Sequence, residues 1–219
     1  WARLKKRPRT FGHNEGVKAA KRVVRAASDF GIQFLSLYVF STENWKRTRD
    51  EVNFLMQLIR NHLRNEFDFY REHKIRVIHS GDSSGLTKPI IDELIGVMND
   101  TAHFTGLTVN LAINYGGQDE IVRAVNEWLR KENGGQHGDL RREITCEDIQ
   151  HHLDHPELPP MDLVIRTAGE RRLSNFFIWE CAYTELYFSP KYWPDWDGEA
   201  LRKAIEDYQK RERRFGDAK

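Results

Sequence analysis

Two arginines and a serine follow one short apolar run in the last third of the chain. Residues 162–165 predict a buried strand that ends at Arg166, and Arg172 and Ser174 come shortly afterwards. Ligands bind outside the carboxyl ends of strands in open α/β sheets, and guanidinium groups and hydroxyls donate to phosphate oxygens. The spacing therefore predicts a diphosphate site, with surface ion pairs to Glu170 as the alternative interpretation.

A helix is predicted directly behind this site. Residues 175–183 are mostly apolar and predict a helix that starts near Asn175. The free N–H groups and partial positive charge at a helix N-terminus favour anions. The predicted helix therefore adds to the same anion site.

A second polar stretch, FSTENW at residues 40–45, leaves the carboxyl end of another predicted strand. Ser41, Thr42, Glu43 and Asn44 are more polar than a simple turn needs. Two interpretations stay open, a binding loop and a capping sequence for the following helix.

Histidines occur in two further places that invite a chemical role. Arg9 and His13 flank the start of the first predicted helix, where a histidine is either a cap or a ligand-binding group. His151 and His155 are four residues apart, but Pro156 follows at once and no carboxylate–histidine motif completes a zinc site. A metal site is therefore not predicted there.

The elements that must position these residues alternate along the chain. Apolar patterning predicts strands at 34–40, 75–79, 107–113, 162–165 and 185–188, and helices at 14–30, 50–67, 90–102, 119–132, 146–153, 175–183 and 198–213. This alternation predicts an α/β fold in one domain, with a mostly parallel central sheet of about six strands flanked by helices. The glycine-rich nucleotide motifs are absent from the sequence, so nucleotide binding is not predicted.

Composition narrows the class of protein. The 219 residues carry 34 basic and 33 acidic side chains, so the net charge near +1 gives no overall preference for nucleic acid. Two cysteines cannot build a disulfide framework, which favours a reducing cytoplasm. No apolar run reaches the roughly 18 residues of a membrane span. Five cations and no acid occupy residues 1–13, namely Arg3, Lys5, Lys6, Arg7 and Arg9.

Three of these motifs together resemble one known family. IRTAGERRLSNF at 165–176 is similar to the I-R-T-G-G-E-x-R-x-S-N-F signature of the cis-prenyltransferases, of the undecaprenyl diphosphate synthase type. RTFGH at 9–13 and FSTENW match two further family segments. The sequence departs from the signature at Ala168, where glycine is usual, and at Arg171, which is often histidine. The resemblance covers essentially the whole chain.

The resemblance implies a reaction and a set of roles. The reaction is condensation of isopentenyl diphosphate with an allylic diphosphate, farnesyl diphosphate being expected, to give a long Z-polyprenyl diphosphate such as the undecaprenyl carrier lipid for cell-wall synthesis. Mg²⁺ is the implied cofactor, with Glu185 as a carboxylate near it across a homodimer. Asn44 and Ser41 are the implied catalytic residues, and the proton acceptor is either a phosphate oxygen or Asn44. The implied substrate-binding residues are Trp1, Arg9, His13, Ser41, Trp45, Arg47, Arg166, Arg172, Ser174 and the tunnel-floor residue Leu107.

The same resemblance sets expectations for the ends of the chain and for partners. Trp1 matches the tryptophan that follows the family motif Asp-Gly-Asn-x-Arg, so an upstream strand and phosphate loop are expected before residue 1. Residues 214–216 match a terminal motif that reaches a neighbouring subunit. The expected location is the cytoplasm, with peripheral contact to a membrane left open. The alternatives are a non-catalytic subunit of the same fold and a basic module that binds RNA or phospholipid.

Overall fold

Two small parallel sheets form the centre of the molecule. The computed structural model describes residues 1–132 and 143–212. Within those ranges the strands are arranged as one three-stranded and one two-stranded sheet. The predicted parallel α/β fold is confirmed, but the predicted count of about six strands is wrong, because five are present in the described part of the chain. The terminal motif at 214–216 and the loop predicted at 133–139 lie outside it.

The larger sheet has the order β1-β3-β2. Strands β1 (Phe34–Ser41) and β2 (Arg76–Ser80) both pair in parallel with β3 (Thr108–Tyr115), with Phe34 and Arg76 opposite Thr108. Every residue of β3 is buried, as expected for a central strand covered on both faces. Parallel pairing aligns the carboxyl ends of these strands at one edge.

The smaller sheet pairs β4 (Leu163–Arg166) in parallel with β5 (Glu185–Phe188). In the described residues β1 and β4 each pair on one side only. Residues of both strands line one large cavity, so the cavity lies between the two sheets.

Helices cover the sheets and connect the parallel strands. They are α1 (Arg9–Asp29), α2 (Arg49–Asn65), α3 (Phe67–Glu72), α4 (Lys88–Thr101), α5 (Gly117–Glu132), α6 (Cys146–His151) and α7 (Gly198–Gln209). Side chains at the starts of several helices fix their first turns, since Thr48 accepts from Glu51 and Asp197 accepts from Ala200. Among the described helices, none has the length and apolar composition needed to cross a bilayer.

The helix predicted at residues 175–183 does not form. Ser174, Asn175 and Phe177 have φ angles of 54°, 64° and 41°, in the left-handed region that a right-handed helix excludes. Packing explains this outcome, because Phe177 stacks on Tyr115 at 4.3 Å and Phe176 on Tyr38 at 4.7 Å. The predicted contribution of a helix N-terminus to the anion site is therefore wrong.

Candidate active site

A cavity of about 2440 Å³ runs beside β1. Its walls include all of residues 34–39, the apolar faces of α1 and α2, and β4. Several arginines line it, and Arg47 and Arg166 among them follow or end the strands β1 and β4. The volume is more than twice the roughly 1,000 Å³ that bounds ordinary small-molecule pockets. The cavity therefore combines a cationic end with a long apolar interior.

The first cationic group is organised around the carboxylate of Glu51. Arg9 Nη1 donates to Glu51 Oε2 at 2.9 Å, and Arg47 Nη1 donates to Oε1 at 2.9 Å. His13 Nε2 lies 3.3 Å from Oε1. Burial alone would raise the pKa of Glu51, but bonds from Arg9, His13 and Arg47 lower it. Three of the predicted substrate-binding residues thus meet on one ionised carboxylate.

Glu51 is the residue that the sequence prediction missed. Its side chain is only 12% exposed, although it stands in the first turn of α2. The sequence pointed to a different role, because Thr48 and Glu51 have the Thr-x-x-Glu spacing of a capping box. In the structure Thr48 does cap the Glu51 N–H, while the Glu51 side chain turns to the cations instead.

The surroundings of His13 lower its pKa. Burial lowers its pKa below 6.5, and Arg47 and Arg9 act in the same direction. The hydrogen bond and charge of Glu51 oppose that change without reversing it.

We expect diphosphate binding to raise the pKa of His13, because a multiply charged anion stabilises the imidazolium form. A titration of the imidazole by NMR, with and without inorganic diphosphate, measures the change. Glu51→Gln should lower the pKa of His13 in the free protein, because it removes the group that raises it. An unchanged His13 titration after addition of diphosphate would place the anion elsewhere.

The second cationic group lies at the end of β4. Arg166 Nη2 is 3.4 Å from Ser174 Oγ, while Arg166 Nε is buried without a hydrogen-bond partner among the described residues. Arg172 forms an ion pair with Glu170, which is the alternative that the sequence left open. Both arginines line the cavity. A buried, unpaired guanidinium N–H is costly unless a ligand accepts it.

Backbone geometry shapes the loop between these arginines. Ala168 has a φ of 65° and Gly169 one of 72°. Their N–H groups donate to Lys191 O and Ser189 O, which anchors the loop on the chain that follows β5. Alanine is therefore accommodated in the left-handed conformation that favours glycine.

Hydrogen bonds hold the two cationic groups at one edge of the fold. Asn175 Nδ2 donates to Glu43 Oε1 at 2.9 Å, joining the loop after β4 to the loop after β1. Tyr38 Oη donates to Ser174 O at 3.4 Å and to Tyr115 O at 3.2 Å. The structure thus brings the FSTENW and IRTAGERRLSNF segments together, as expected for carboxyl ends of strands.

The FSTENW segment is itself a capping structure. Ser41 and Asn44 form a reciprocal capping box on a short 3₁₀ helix, Thr42–Lys46, in which the Ser41 N–H donates to Asn44 Oδ1 at 3.1 Å. Trp45 Nε1 donates to Asn114 Oδ1 at 2.7 Å, and its ring packs edge-on against Phe40. The capping role does not exclude a binding role, because Asn44 Nδ2 has no hydrogen bond within the described residues.

Trp1 lies beside the first cationic group. Its indole N–H donates to Asp195 Oδ2 at 2.7 Å, and its ring stacks on Phe11 at 5.8 Å between centroids. Trp1 also lines the cavity.

The residues considered for metal binding already have partners within this subunit. Glu185 Oε2 accepts from Arg211 Nη1 at 2.7 Å, so its charge is already neutralised. His155 is held by Glu157 and by the His79 carbonyl. Within residues 1–132 and 143–212, no group of three or more His, Cys, Asp or Glu side chains is placed to hold a metal ion. These residues alone therefore do not fit a complete Mg²⁺ site.

A cluster of buried carboxyl groups lies beside the cavity, and Glu120 and Glu180 of this cluster line it. Glu120 accepts hydrogen bonds from the Tyr115 hydroxyl and from the Asp154 N–H. Arg123 pairs with Asp154. Glu180 Oε2 is buried with no hydrogen-bond partner in the described part of the chain. Burial first, and then the charges of Glu120 and Asp154, raise the pKa of Glu180 to about 7.

Known proteins are similar to this sequence along its whole length. A family model described as "Putative undecaprenyl diphosphate synthase" matches residues 1–216. The isoprenyl transferase of Treponema denticola is 48% identical over 218 residues, covering 100% of this chain and 92% of that protein. The isoprenyl transferase of Helicobacter pylori is 41% identical over 219 residues, covering 100% of this chain and 92% of that protein.

Solved structures share the fold. A crystal structure of lavandulyl diphosphate synthase from Lavandula x intermedia in complex with dimethylallyl diphosphate has a TM-score of 0.89 and 32% identity, over 99% of this chain and 93% of that one. A probable undecaprenyl diphosphate synthase from Campylobacter jejuni has a TM-score of 0.80 and 33% identity, over 93% of each chain.

The parallel α/β fold and the cavity with a cationic end define an enzyme of the prenyltransferase class. More narrowly, the chain belongs to the cis-prenyltransferase family, of the undecaprenyl diphosphate synthase type. The family predicted from the three motifs is confirmed, and with it the activity of cis-prenyl chain elongation.

Proposed function

We propose that this enzyme condenses isopentenyl diphosphate with an allylic diphosphate, farnesyl diphosphate, and repeats the reaction to make a long Z-polyprenyl diphosphate. The observation that supports this most is the pair of separate cationic groups at one end of one apolar cavity. Two diphosphates need two such groups, and a growing hydrocarbon chain needs the apolar space beside them. The undecaprenyl carrier lipid for cell-wall synthesis is the proposed product.

The allylic diphosphate is proposed to bind at Arg9, His13, Arg47 and Ser41. Glu51 holds the first three side chains in place before substrate arrives. The Glu51 carboxylate accepts hydrogen bonds from donors that a phosphate can bind in its place. The first cationic group is therefore already in position before the substrate binds. Fixed charge around the leaving diphosphate stabilises the transition state.

Isopentenyl diphosphate is proposed to bind at Arg166, Arg172 and Ser174. Arg166 has an unpaired buried N–H, and Arg172 needs only to exchange Glu170 for a phosphate. The loops after β1 and β4 are joined by the Glu43–Asn175 bond, which would hold the two substrates side by side.

The side chains of the FSTENW segment are proposed to align the reacting carbons. Trp45 is fixed by Asn114 and would pack near the allyl group. Asn44 Oδ1 already accepts the Ser41 N–H, so Asn44 offers its amide N–H groups to a substrate. Since an amide that only donates is a poor base, we favour a phosphate oxygen as the proton acceptor and Asn44 and Ser41 as orienting residues.

Mg²⁺ is the proposed cofactor, bound mainly by substrate oxygens. Protein Mg²⁺ sites commonly combine one or two carboxylates with phosphates and waters, and bound Mg²⁺ would neutralise charge on the leaving diphosphate. Glu185 is proposed to take part only if a neighbouring subunit or a ligand draws Arg211 away from it.

The unpaired edges of β1 and β4 suggest how the two sheets are connected in the complete domain. Both edges face the cavity, and a parallel strand between them would join the two sheets into one. We propose that residues upstream of Trp1 supply this strand and the Asp-Gly-Asn-x-Arg loop of the family. A homodimer and a cytoplasmic location are further parts of this proposal.

Product length is proposed to depend on Leu107. Alternation along β3 places Leu107 on the same face as Val109, Leu111 and Ile113, which line the cavity, and one step nearer its amino end. Leu107 itself is 2% exposed in the core and is not among the residues that line the cavity, so it lies just beyond the cavity wall formed by Val109. A side chain at that position would close the end of the apolar space.

We expect Leu107→Ala to lengthen the products and Leu107→Trp to shorten them, because the two changes add and remove space at the closed end of the tunnel. Thin-layer chromatography of the dephosphorylated products measures the change. Ile78→Ala is the matched control, because Ile78 is a buried aliphatic residue that pairs with Asn110 and so lies on the opposite face of the sheet from Leu107. Identical product distributions in all three variants would reject Leu107 as the floor.

The direct test of the proposed function uses the full-length protein with labelled isopentenyl diphosphate, farnesyl diphosphate and Mg²⁺. Incorporation of label into a long organic-soluble product is expected. Substrate binding without incorporation would favour a non-catalytic subunit of the same fold. Salt-sensitive binding of RNA or phospholipid, with no substrate binding, would favour a basic polyanion-binding module.

A further inference from the structure

A basic ledge projects from the start of the chain, formed by Arg3, Lys5, Lys6 and Arg7 around Leu4. All five side chains are exposed, and Leu4 is 73% exposed. A leucine this exposed buries little of its side chain in the fold. The ledge therefore combines positive charge with an apolar side chain directed at solvent.

None of the four ledge cations forms an ion pair with a carboxylate in the described part of the chain, whereas Arg9 next to them does. Instead, two of them lie over aromatic rings. Lys5 Nζ lies 4.1 Å from the centre of the Trp1 ring, and Arg7 Cζ lies 5.6 Å from that of Phe11. Because Trp1 and Phe11 stack on each other, the two rings that contact Lys5 and Arg7 support each other.

The ledge adjoins the mouth of the active-site cavity. Trp1, Ala2 and Arg3 line the cavity together with Arg9 and His13. Whatever binds the ledge therefore lies next to the diphosphate end, where an amphiphilic product would leave.

We propose that the ledge docks the enzyme on an anionic phospholipid surface. This inference rests on the proposed function for its purpose, since a long polyprenyl diphosphate belongs in a bilayer. Unpaired cations near such a surface are attracted by its negative potential. An exposed leucine among them enters the interfacial layer, while long Lys and Arg side chains keep their charges at the headgroups. The phosphate backbone of a nucleic acid would use the cations but would leave Leu4 in water, so a membrane fits the ledge better.

Vesicle sedimentation tests the ledge directly. The full-length protein is mixed with vesicles of phosphatidylcholine alone, or with about one third phosphatidylglycerol, at low and physiological salt. Binding only to the anionic vesicles, weakened by salt, is expected. Lys5→Glu combined with Lys6→Glu should reduce that binding about tenfold or more, because two attracted cations are replaced by two repelled anions.

The matched control is Arg64→Glu combined with Lys74→Glu, which exchanges the same number of exposed cations on another part of the surface. Lys74 also matches Lys6 in backbone conformation, with φ angles of 51° and 52°. This control should keep vesicle binding within about twofold of the unaltered protein, because the charges lie outside the ledge.

The single variant Leu4→Ser removes the apolar side chain of the ledge and keeps its four cations, so it tests insertion into the membrane separately from charge attraction. It also remains available as a test if the double charge reversal prevents folding. It should weaken vesicle binding and leave the thermal midpoint unchanged.

Equal binding to both vesicle types, or an equal loss in the control variant, would overturn the proposal. So would RNA homopolymer binding that the ledge variants abolish while vesicle binding persists. Turnover of the unaltered protein is measured separately on soluble substrates without vesicles. A failure of the proposed enzymatic function is thereby distinguished from a failure of membrane docking.

Discussion

Arg166→Ala is expected to raise the KM for isopentenyl diphosphate by one to two orders of magnitude, or to lower kcat by a similar factor. Arg166 carries a buried N–H without a partner and lies 3.4 Å from Ser174. A hydrogen bond between charged groups contributes about 1.5–3 kcal/mol, which corresponds to roughly 10- to 150-fold in binding. Steady-state kinetics with each substrate varied in turn measures which step is affected.

Arg172→Ala should act in the same direction with a smaller effect, because substrate must first displace Glu170 from Arg172. Arg171→Ala is the matched control. Arg171 lies between Glu170 and Arg172 in the sequence and is exposed, but it does not line the cavity. If Arg166→Ala and Arg171→Ala have the same kinetics as the unaltered enzyme, the proposed isopentenyl diphosphate site is wrong.

Glu180→Gln is expected to stabilise the protein at pH 8 and to change little at pH 4. The fold raises the pKa of Glu180 from 4.5 to about 7, so the folded state holds a proton that the unfolded state has lost. That contribution to stability is complete below pH 4.5 and is lost as the pH rises through about 7. Glutamine keeps the shape of a protonated glutamate without ionising, so it should recover up to about 3 kcal/mol at high pH.

Urea denaturation at pH 4, 6 and 8 measures this difference between the two proteins. Glu127→Gln is the control on an exposed part of α5. The hydrogen bond from Lys131 lowers the pKa of Glu127, so its replacement should not stabilise the protein at pH 8. An equal pH dependence of the free energy of unfolding with and without Glu180 would show that this side chain does not carry the proton.

Periodicity in the sequence was enough to predict the strands and most of the helices. Strand β3 is a continuous β-rich run that is buried on both faces, and α2 shows apolar residues at helical spacing behind a threonine cap. Such patterns succeed because burial and local propensity favour the same structure. The segment at 175–183 failed because its apolar residues pack as aromatic pairs against Tyr38 and Tyr115, with left-handed backbone at several positions. A tertiary contact of that kind leaves no periodic signal.

The site residues were predictable to a different extent. Motif resemblance identified the arginines, but their partners depend on three-dimensional distances. Glu51 was hidden because its spacing from Thr48 already had a local explanation. Arg172 shows the reverse case, in which the local ion pair with Glu170 and the proposed binding role apply to the same side chain in different states.

The carboxylate of Glu51 also has a calorimetric consequence. It holds Arg9, Arg47 and His13, whose pKa is lowered by burial, while no substrate is bound. A diphosphate that enters this group adds negative charge beside an imidazole poised to take up a proton. Binding near neutral pH should therefore draw protons from the buffer, and the measured enthalpy should change with the ionisation enthalpy of that buffer. The slope of enthalpy against buffer ionisation enthalpy then counts the protons taken up with each diphosphate.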